Sequence, residues 1–185
     1  MNYIVFKRIF DVFLASCLLA CLSPIYIVLW IVIILQDGGP AIFKQMRIGK
    51  TGVPFKFYKF RSMPLNTPIV ESKETIKLQI TPFGKFIRRT NLDELPQIYN
   101  VLKGEMSFIG PRPPIPQQLD LIELRKNNGA INLSPGLTGW AQVNSYDGMP
   151  LEQKAKFDGE YAMRISFLFD CIILFKTALY FTKKP

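Results

Sequence analysis

Hydrophobic positions are spread very unevenly along this chain. From Val12 to Leu35 the sequence VFLASCLLACLSPIYIVLWIVIIL runs for 24 residues without a charge, which predicts either one long apolar helix or two shorter ones. A single straight helix of that length would reach about 36 Å, more than the ~30 Å hydrocarbon core of a bilayer. Ser23 and Pro24 stand at its middle. Proline has no N–H to bond the Ala20 carbonyl, and its ring clashes there. A carbonyl freed in hydrocarbon costs several kcal/mol unless something satisfies it, and the Ser23 hydroxyl is one local donor. Divided at Pro24, each limb (12–23 and 25–35) would reach only about 17 Å, roughly the bilayer mid-plane. Lys7 and Arg8 precede the run, and Lys44, Arg47 and Lys50 follow it, so both flanks carry the basic mark of a cytoplasmic face. A hairpin entering and leaving by one leaflet satisfies both flanks, while a kinked single span is also compatible with proline. These arguments leave crossing and turning back both open.

Two targeting readings fit less well. LASC and LLAC resemble lipoprotein cleavage boxes behind Lys7-Arg8, but cleavage at Cys17 or Cys21 would leave an apolar N-terminus as far as Leu35, and Asp11 interrupts the approach to the apolar region. The segment is therefore expected to be retained. Lys7 and Asp11 are four apart and Arg8 and Asp11 three apart, so on a helix both cations can reach the one carboxylate.

After the breaker cluster QDGGP, AIFKQMRIGKTGVPFKFYKFRSM (41–63) alternates apolar and basic residues around GKTG and predicts a β-hairpin. GKTG lacks the G-x-x-x-x-G-K-[ST] spacing of a phosphate loop and reads as a turn. Of the cations Lys44, Arg47, Lys50, Lys56, Lys59 and Arg61, most read as a solvated or lipid-facing surface, with Lys59 and Arg61 set apart. Further on, Leu92, Leu95, Ile98, Tyr99 and Leu102 recur at helical spacing and predict a helix from near Asn91. LSPGLTGWAQVNSYDG (133–148) is turn-rich, with Trp140 either interfacial or packed in a loop. In RISFLFDCIILFKTALYFTKKP (164–185), Asp170 and Lys176 argue against a second span. They suit an amphipathic helix at a membrane surface, with Lys183 and Lys184 near headgroups; a buried core helix is the competing reading.

Composition narrows the chemistry. About 150 residues follow Leu35, enough for one domain with a modest core. Lys and Arg number 23 against 14 Asp and Glu, a net charge of +9, which favours anionic lipid, phosphate-bearing ligands or nucleic acid. The apolar segment turns that choice towards lipid and phosphate and away from nucleic acid. There is no histidine, which removes the usual general base and the usual nitrogen ligand for zinc. Cys17, Cys21 and Cys171 lie in apolar segments without metal spacing. Any metal is expected to be a hard, oxygen-bound ion such as Mg²⁺.

The richest stretch is TPFGKFIRRTNLDELPQIYNVLKGEMSFIGPRPPIP (81–116). Asp93 and Glu94 would fall in the first turn of the expected helix, and taken alone Asn91-x-x-Glu94 is a capping box. The surroundings say more: Lys85, Arg88 and Arg89 lie just upstream, and Arg112 sits in a proline-stiffened turn downstream. Adjacent carboxylates on a helix point about 100° apart and can serve different partners. One could attack phosphorus while the other holds Mg²⁺ or manages a proton, with arginines stabilising the transferring phosphate oxygens.

Several motifs occur in one order: KRIFD, LSP, FKFYKFRSM, RTNLDELPQIYNVLKGEMSFIGPRP, SPGLTGWAQVN and DGEYAMRISFLFDCIILFKT. Together they resemble the monotopic phosphoglycosyl transferases, the bacterial sugar transferases, over nearly the whole chain. In its small size the chain is similar to the members that begin bacterial N-linked protein glycosylation with a diacetylbacillosamine phosphate. The resemblance implies an α+β, helix-rich fold: a re-entrant membrane hairpin (1–36) turning at Ser23-Pro24 and marked by Lys7, Arg8 and Asp11, then one interface-associated catalytic domain (37–185) with a small β-hairpin and amphipathic interfacial helices. It implies transfer of a sugar phosphate from a UDP-sugar to undecaprenyl phosphate with release of UMP, at the cytoplasmic face of the bacterial inner membrane. Membrane lipids and downstream glycosyltransferases of the same pathway would be partners. Carried onto this sequence, Asp93 would be the nucleophile and Glu94 its assistant, both near Mg²⁺, with Lys59, Arg88, Arg112 and Pro113 contacting phosphate. Glu105 stands in GEMS where many members have GDMS. Two other classes stay open: a non-catalytic scaffold binding anionic lipid, and a glycosyltransferase that would release UDP.

Overall fold

The long apolar run forms one helix, α1 (Tyr3–Asp37), which carries Pro24 inside it and is long and apolar enough to cross a membrane. It is assigned as one continuous element through the Ser23-Pro24 pair at which the resemblance implies a break. The freed carbonyl is satisfied locally, as the sequence suggested: Ser23 Oγ donates to Ala20 O at 2.8 Å. The computed structural model describes residues 3–65, 67, 79–146 and 148–183.

Beyond α1 the chain forms the expected hairpin, β1 (Ile42–Ile48) and β2 (Pro54–Phe60), antiparallel with Ile42 opposite Phe60 and Ile48 opposite Pro54. GKTG closes it through a 3₁₀ turn, Lys50–Gly52, with Thr51 at φ 56°. Then follow α2 (Pro82–Arg89), a 3₁₀ turn (Leu92–Glu94), α3 (Gln97–Lys103), β3 (Ser107–Ile109) and α4 (Leu119–Asn127). After these come β4 (Gly136–Thr138), the short α5 (Trp140–Val143), α6 (Leu151–Arg164) and α7 (Phe167–Lys183). β3 and β4 pair in parallel, Ser107 with Gly136 and Ile109 with Thr138. The hydrophobic pattern does not announce that pairing. Glycine permits it: the Cβ an alanine would add at Gly136 lies 2.1 Å from Gly110 N, and one at Gly139 lies 2.1 Å from Gly110 O, so the backbones approach where no side chain fits.

The predicted helix from Asn91 does not form as one piece. Pro96 has no N–H to continue it, so α3 starts only at Gln97, and Asn91 adopts left-handed geometry (φ 56°) with no side-chain capping bond. The capping box is therefore not made. Asp93 and Glu94 sit on the 3₁₀ turn ahead of α3.

Three buried clusters hold these elements together. One joins Ala15 of α1, Phe55 and Phe57 of β2, and Ile98 and Val101 of α3; Leu18, Leu19 and Leu22 pack against it. A second joins Leu29 and Ile33 of α1 to Phe60 and Ile87. A third joins Ile109, Tyr161, Phe169 and Ile173. Leu95 packs against both of the first two, so the 3₁₀ turn is fixed where they meet.

The charges at the start of α1 do not pair with one another as their spacing allowed. Lys7 Nζ reaches Asp170 of α7 at 2.5 Å, and Tyr3 and Tyr161 donate to the same carboxylate. Arg8 donates to Val101 O (2.6 Å) and Leu102 O (2.9 Å) at the C-terminal end of α3, where cations are favoured. Asp11 accepts from Phe108 N at 3.2 Å. A same-helix pair offers only a few tenths of a kcal/mol, and each of these groups has a buried alternative on another element.

α7 also differs from both expectations. Its charges face inward, Asp170 to the tyrosines and Lys176 over the Trp140 ring at 4.4 Å. Its outward face is apolar, with Phe167, Leu168 and Phe175 each more than half exposed. The Lys183 side chain and Lys184 lie outside the described residues. Trp140 is a packing residue, 4.9 Å from the Phe169 ring, with Nε1 donating to Glu160.

Candidate active site

Three elements meet around one pair of carboxylates. β2 brings Lys59, the 3₁₀ turn brings Asp93 and Glu94, and the turn after β3 brings Arg112. Lys59 Nζ lies 2.6 Å from Glu94 Oε1 and 3.7 Å from Asp93 Oδ2, and Arg112 Nη2 lies 3.0 Å from Glu94 Oε1. Residues far apart in sequence thus form one charged group, and it includes four of the residues singled out by sequence.

The two carboxylates are adjacent but electrostatically unlike. Burial pushes Asp93 above the ordinary carboxylate range; Lys59 opposes the rise and the charge of Glu94 adds to it. Burial would raise Glu94 too, but Arg112 and then Lys59 more than offset that and hold it at about 2. Neighbouring acids pushed in opposite directions are suited to different roles. Lys59 is drawn down by burial and held up mainly by Glu94, and the charge of Glu94 raises Arg112.

Arg88 stands on the last turn of α2 with Nε on Ser62 Oγ at 2.8 Å, near enough for its charge to favour ionised Asp93. Pro113 is buried and acts through its backbone: its carbonyl accepts from Arg47 Nη1 at 3.1 Å. The neighbouring carbonyls are gripped as well. Arg125 Nη1 donates to Arg112 O at 2.9 Å, Ile48 N to Pro114 O at 2.9 Å, and Gly136 N to Pro111 O at 3.0 Å. Prolines cannot donate backbone hydrogen bonds, so the backbone of this turn is held through its carbonyls, with the Arg112 side chain tied to Glu94.

Arg47 is thus a correction to the solvated-surface reading. It sits above the Phe57 ring at 5.3 Å, and burial, then Arg112, pull it down to about 10. Lys44, Lys50 and Lys56 are exposed as expected, and Arg61 is buried, donating to Gly38 O. The sequence also gave no notice of Arg125 and Asp158, a fully buried pair bonded at 2.6 and 2.9 Å. Nor did it announce Tyr26 of α1, whose hydroxyl donates to Leu95 O beside the carboxylates. Glu105 is engaged by Asn100 (2.7 Å) and Lys103 (2.5 Å) at the end of α3.

Among the described residues no group of three His, Cys, Asp or Glu side chains could cage a metal ion. Two adjacent carboxylates nevertheless suit Mg²⁺, which commonly takes one or two protein carboxylates and completes its shell with substrate phosphate and water.

A family model described as bacterial sugar transferase matches residues 2–184. A Bacillus subtilis protein named uncharacterized sugar transferase EpsL is 40% identical over 173 residues, covering 92% of this chain and 84% of that protein. The UDP-glucose:undecaprenyl-phosphate glucose-1-phosphate transferase of Escherichia coli is 40% identical over 185 residues, covering 92% of this chain. The undecaprenyl-phosphate galactose phosphotransferase of Salmonella typhimurium is 39% identical over 189 residues, covering 93%. The chain spans 39% of the length of each of these last two.

Proposed function

The chain belongs to the bacterial sugar transferase family, and on that premise we propose that it transfers a sugar 1-phosphate from a UDP-sugar to undecaprenyl phosphate and releases UMP. The observation that carries this reading is the buried Asp93 beside Lys59, Glu94 and Arg112. The relatives named for a reaction use UDP-glucose or transfer galactose phosphate to the same lipid. For this chain we propose N,N′-diacetylbacillosamine, on its likeness to the small members of the family.

In the first step an Asp93 oxygen attacks the β-phosphorus. The new bond is aspartyl O–P, the bond broken joins that phosphorus to the bridging oxygen, and UMP leaves with the electron pair. In the second step a phosphate oxygen of undecaprenyl phosphate attacks the same phosphorus, and Asp93 leaves as carboxylate. Lys59 and Arg112 hold the phosphate oxygens as charge moves through them, and Arg88 favours the ionised form of Asp93 that attack requires. Asp93 and Glu94 would hold Mg²⁺ together with donor phosphate, and the ion would supply neutralisation of the diphosphate charge. Two steps suit a water-soluble donor and a lipid-buried acceptor that need not be bound together.

The fold also supports a one-faced membrane arrangement. Both ends of α1 are bound to the same domain, Lys7 and Arg8 at one end and Leu29 and Ile33 at the other, so a simple crossing would have to separate contacts that are made together. We take residues 1–36 as the membrane segment, re-entrant at Ser23-Pro24, and 37–185 as the domain at the cytoplasmic face, feeding downstream glycosyltransferases. A cysteine placed at Asn2, outside the described residues, should be shielded from impermeant reagent in intact cells.

The direct test is product analysis with a panel of UDP-sugars, undecaprenyl phosphate and Mg²⁺. UMP and a lipid diphosphate sugar are expected, with turnover lost in Asp93→Asn. Release of UDP, or a wild-type rate in Asp93→Asn, would overturn the reading.

A further inference from the structure

Beside the charged group lies a cavity of about 530 Å³, within the usual size of a small-molecule site. Glu94 and Arg112 line it together with Leu95, Ile98, Phe108, Leu137, Val143 and Leu174. Several polar side chains on the wall are already engaged with the protein. Thr138 and Thr177 bond each other at 2.8 Å, Thr177 also donates to Ile173 O, and Gln142 Nε2 donates to Leu137 O at 3.0 Å. A uridine or sugar needs convergent polar partners; the two hydroxyls and the Gln142 amide N–H are turned to the protein, and Gln142 Oε1 alone of these is a buried acceptor without a hydrogen-bond partner. The wall therefore favours a hydrocarbon guest.

The cavity also adjoins α7, whose outer surface is apolar, and shares wall residues with the cluster that α1 packs against. Leu174 is 45% exposed and belongs to α7, whose outward face continues through Leu168, Phe175 and Leu179. Leu95, Phe108 and Leu137 pack in the same cluster as Leu18, Leu19 and Leu22 of α1. Among the lining residues Arg112 is partly exposed and engages Glu94 through Nη2. Its guanidinium carries five N–H donors, enough for a phosphate as well.

We propose that this cavity receives the first prenyl units of the lipid acceptor, with the acceptor phosphate at Arg112 and the chain leaving along α7. The proposal rests on the transferase reading and adds to it where the lipid sits and which wall recognises it. It also separates the acceptor from the donor in space: the hydrocarbon occupies the apolar wall, while nucleotide recognition falls to groups elsewhere around Asp93.

Full-length protein in phosphatidylcholine nanodiscs tests this with Leu174→Trp, which fills the mouth of the cavity from a partly exposed position. The Michaelis constant for undecaprenyl phosphate should rise at least about tenfold, and that for the UDP-sugar should stay within about twofold. Calorimetry needs no turnover: farnesyl phosphate should bind wild-type protein at least about tenfold more tightly than inorganic phosphate, and Leu174→Trp should erase the difference. A donor constant that rises as much as the acceptor constant assigns the cavity to the nucleotide sugar and overturns the proposal. So does farnesyl phosphate binding no better than inorganic phosphate, or phosphatidylglycerol competing as well as farnesyl phosphate. If wild-type protein releases no UMP from any UDP-sugar, the transferase reading falls, and the calorimetry still decides whether the cavity is a prenyl-phosphate site.

Discussion

Glu94 is held near pKa 2 because Arg112 and Lys59 outweigh the effect of its burial. A carboxyl depressed in the folded state contributes stability above its unfolded value, near 4.3, and that contribution is lost as pH falls towards the folded value. In metal-free buffer, acidification from pH 5 to pH 2 should therefore destabilise wild-type protein more than Glu94→Gln, as read by denaturant midpoints at each pH; parallel curves would contradict the ion-pair account. Asp93 is shifted the other way, so in the same metal-free buffer its carboxyl should take up a proton at a pH above the ordinary aspartate value of about 3.9, read as the infrared difference between wild-type protein and Asp93→Asn. Asp93 and Glu94 were legible in sequence because two acids among many arginines are chemically conspicuous. Arg47 was not. On a half-read hairpin its face depends on register, and only the pairing of Arg47 with Phe55 puts it on the buried side, where it can reach the Pro113 carbonyl.

Between elements, the Arg112 turn hangs on Arg125 of α4, which Asp158 of α6 holds in place. Removing one partner of a buried pair leaves the other charge uncompensated, so Asp158→Ala should cost about 3–5 kcal/mol in chemical denaturation. The apolar double variant Arg125→Met/Asp158→Leu should recover most of that loss. Its activity should stay low, because the Arg112 carbonyl still lacks its donor. The pairing of β3 with β4 depends on backbone approach, and Gly136→Ala should cost about 1–3 kcal/mol by overpacking, measured in the same way. Alternation over 41–63 announced β1 and β2, whereas strands of three residues are too short to show a period. In GPRP and SPGLTG the glycines were visible as turn residues, but their reason, contact between Gly110, Gly136 and Gly139, is a tertiary fact. The inward charges of α7 were hidden likewise, because Asp170 is explained only by Tyr3, Lys7 and Tyr161 from other helices.

Over the whole molecule, α1 and α7 each show an apolar surface outward and bind the domain inward. The sequence marked α1 as an apolar segment attached to a domain. It could not show that Ala15, Leu29 and Ile33 of that segment are buried in the same core clusters as residues of the domain itself. The practical consequence concerns truncation. A chain starting after Asp37 would lose one wall of two core clusters, the cation that closes the end of α3 and the hydroxyl on the Leu95 carbonyl. It should be recovered as aggregate in size-exclusion chromatography, and a monomeric, cooperatively melting fragment would contradict that expectation. No soluble enzyme should then be had by cutting away the greasy end: for this protein, solubilising the catalyst means keeping α1 and supplying an amphiphile to cover its exposed apolar surface.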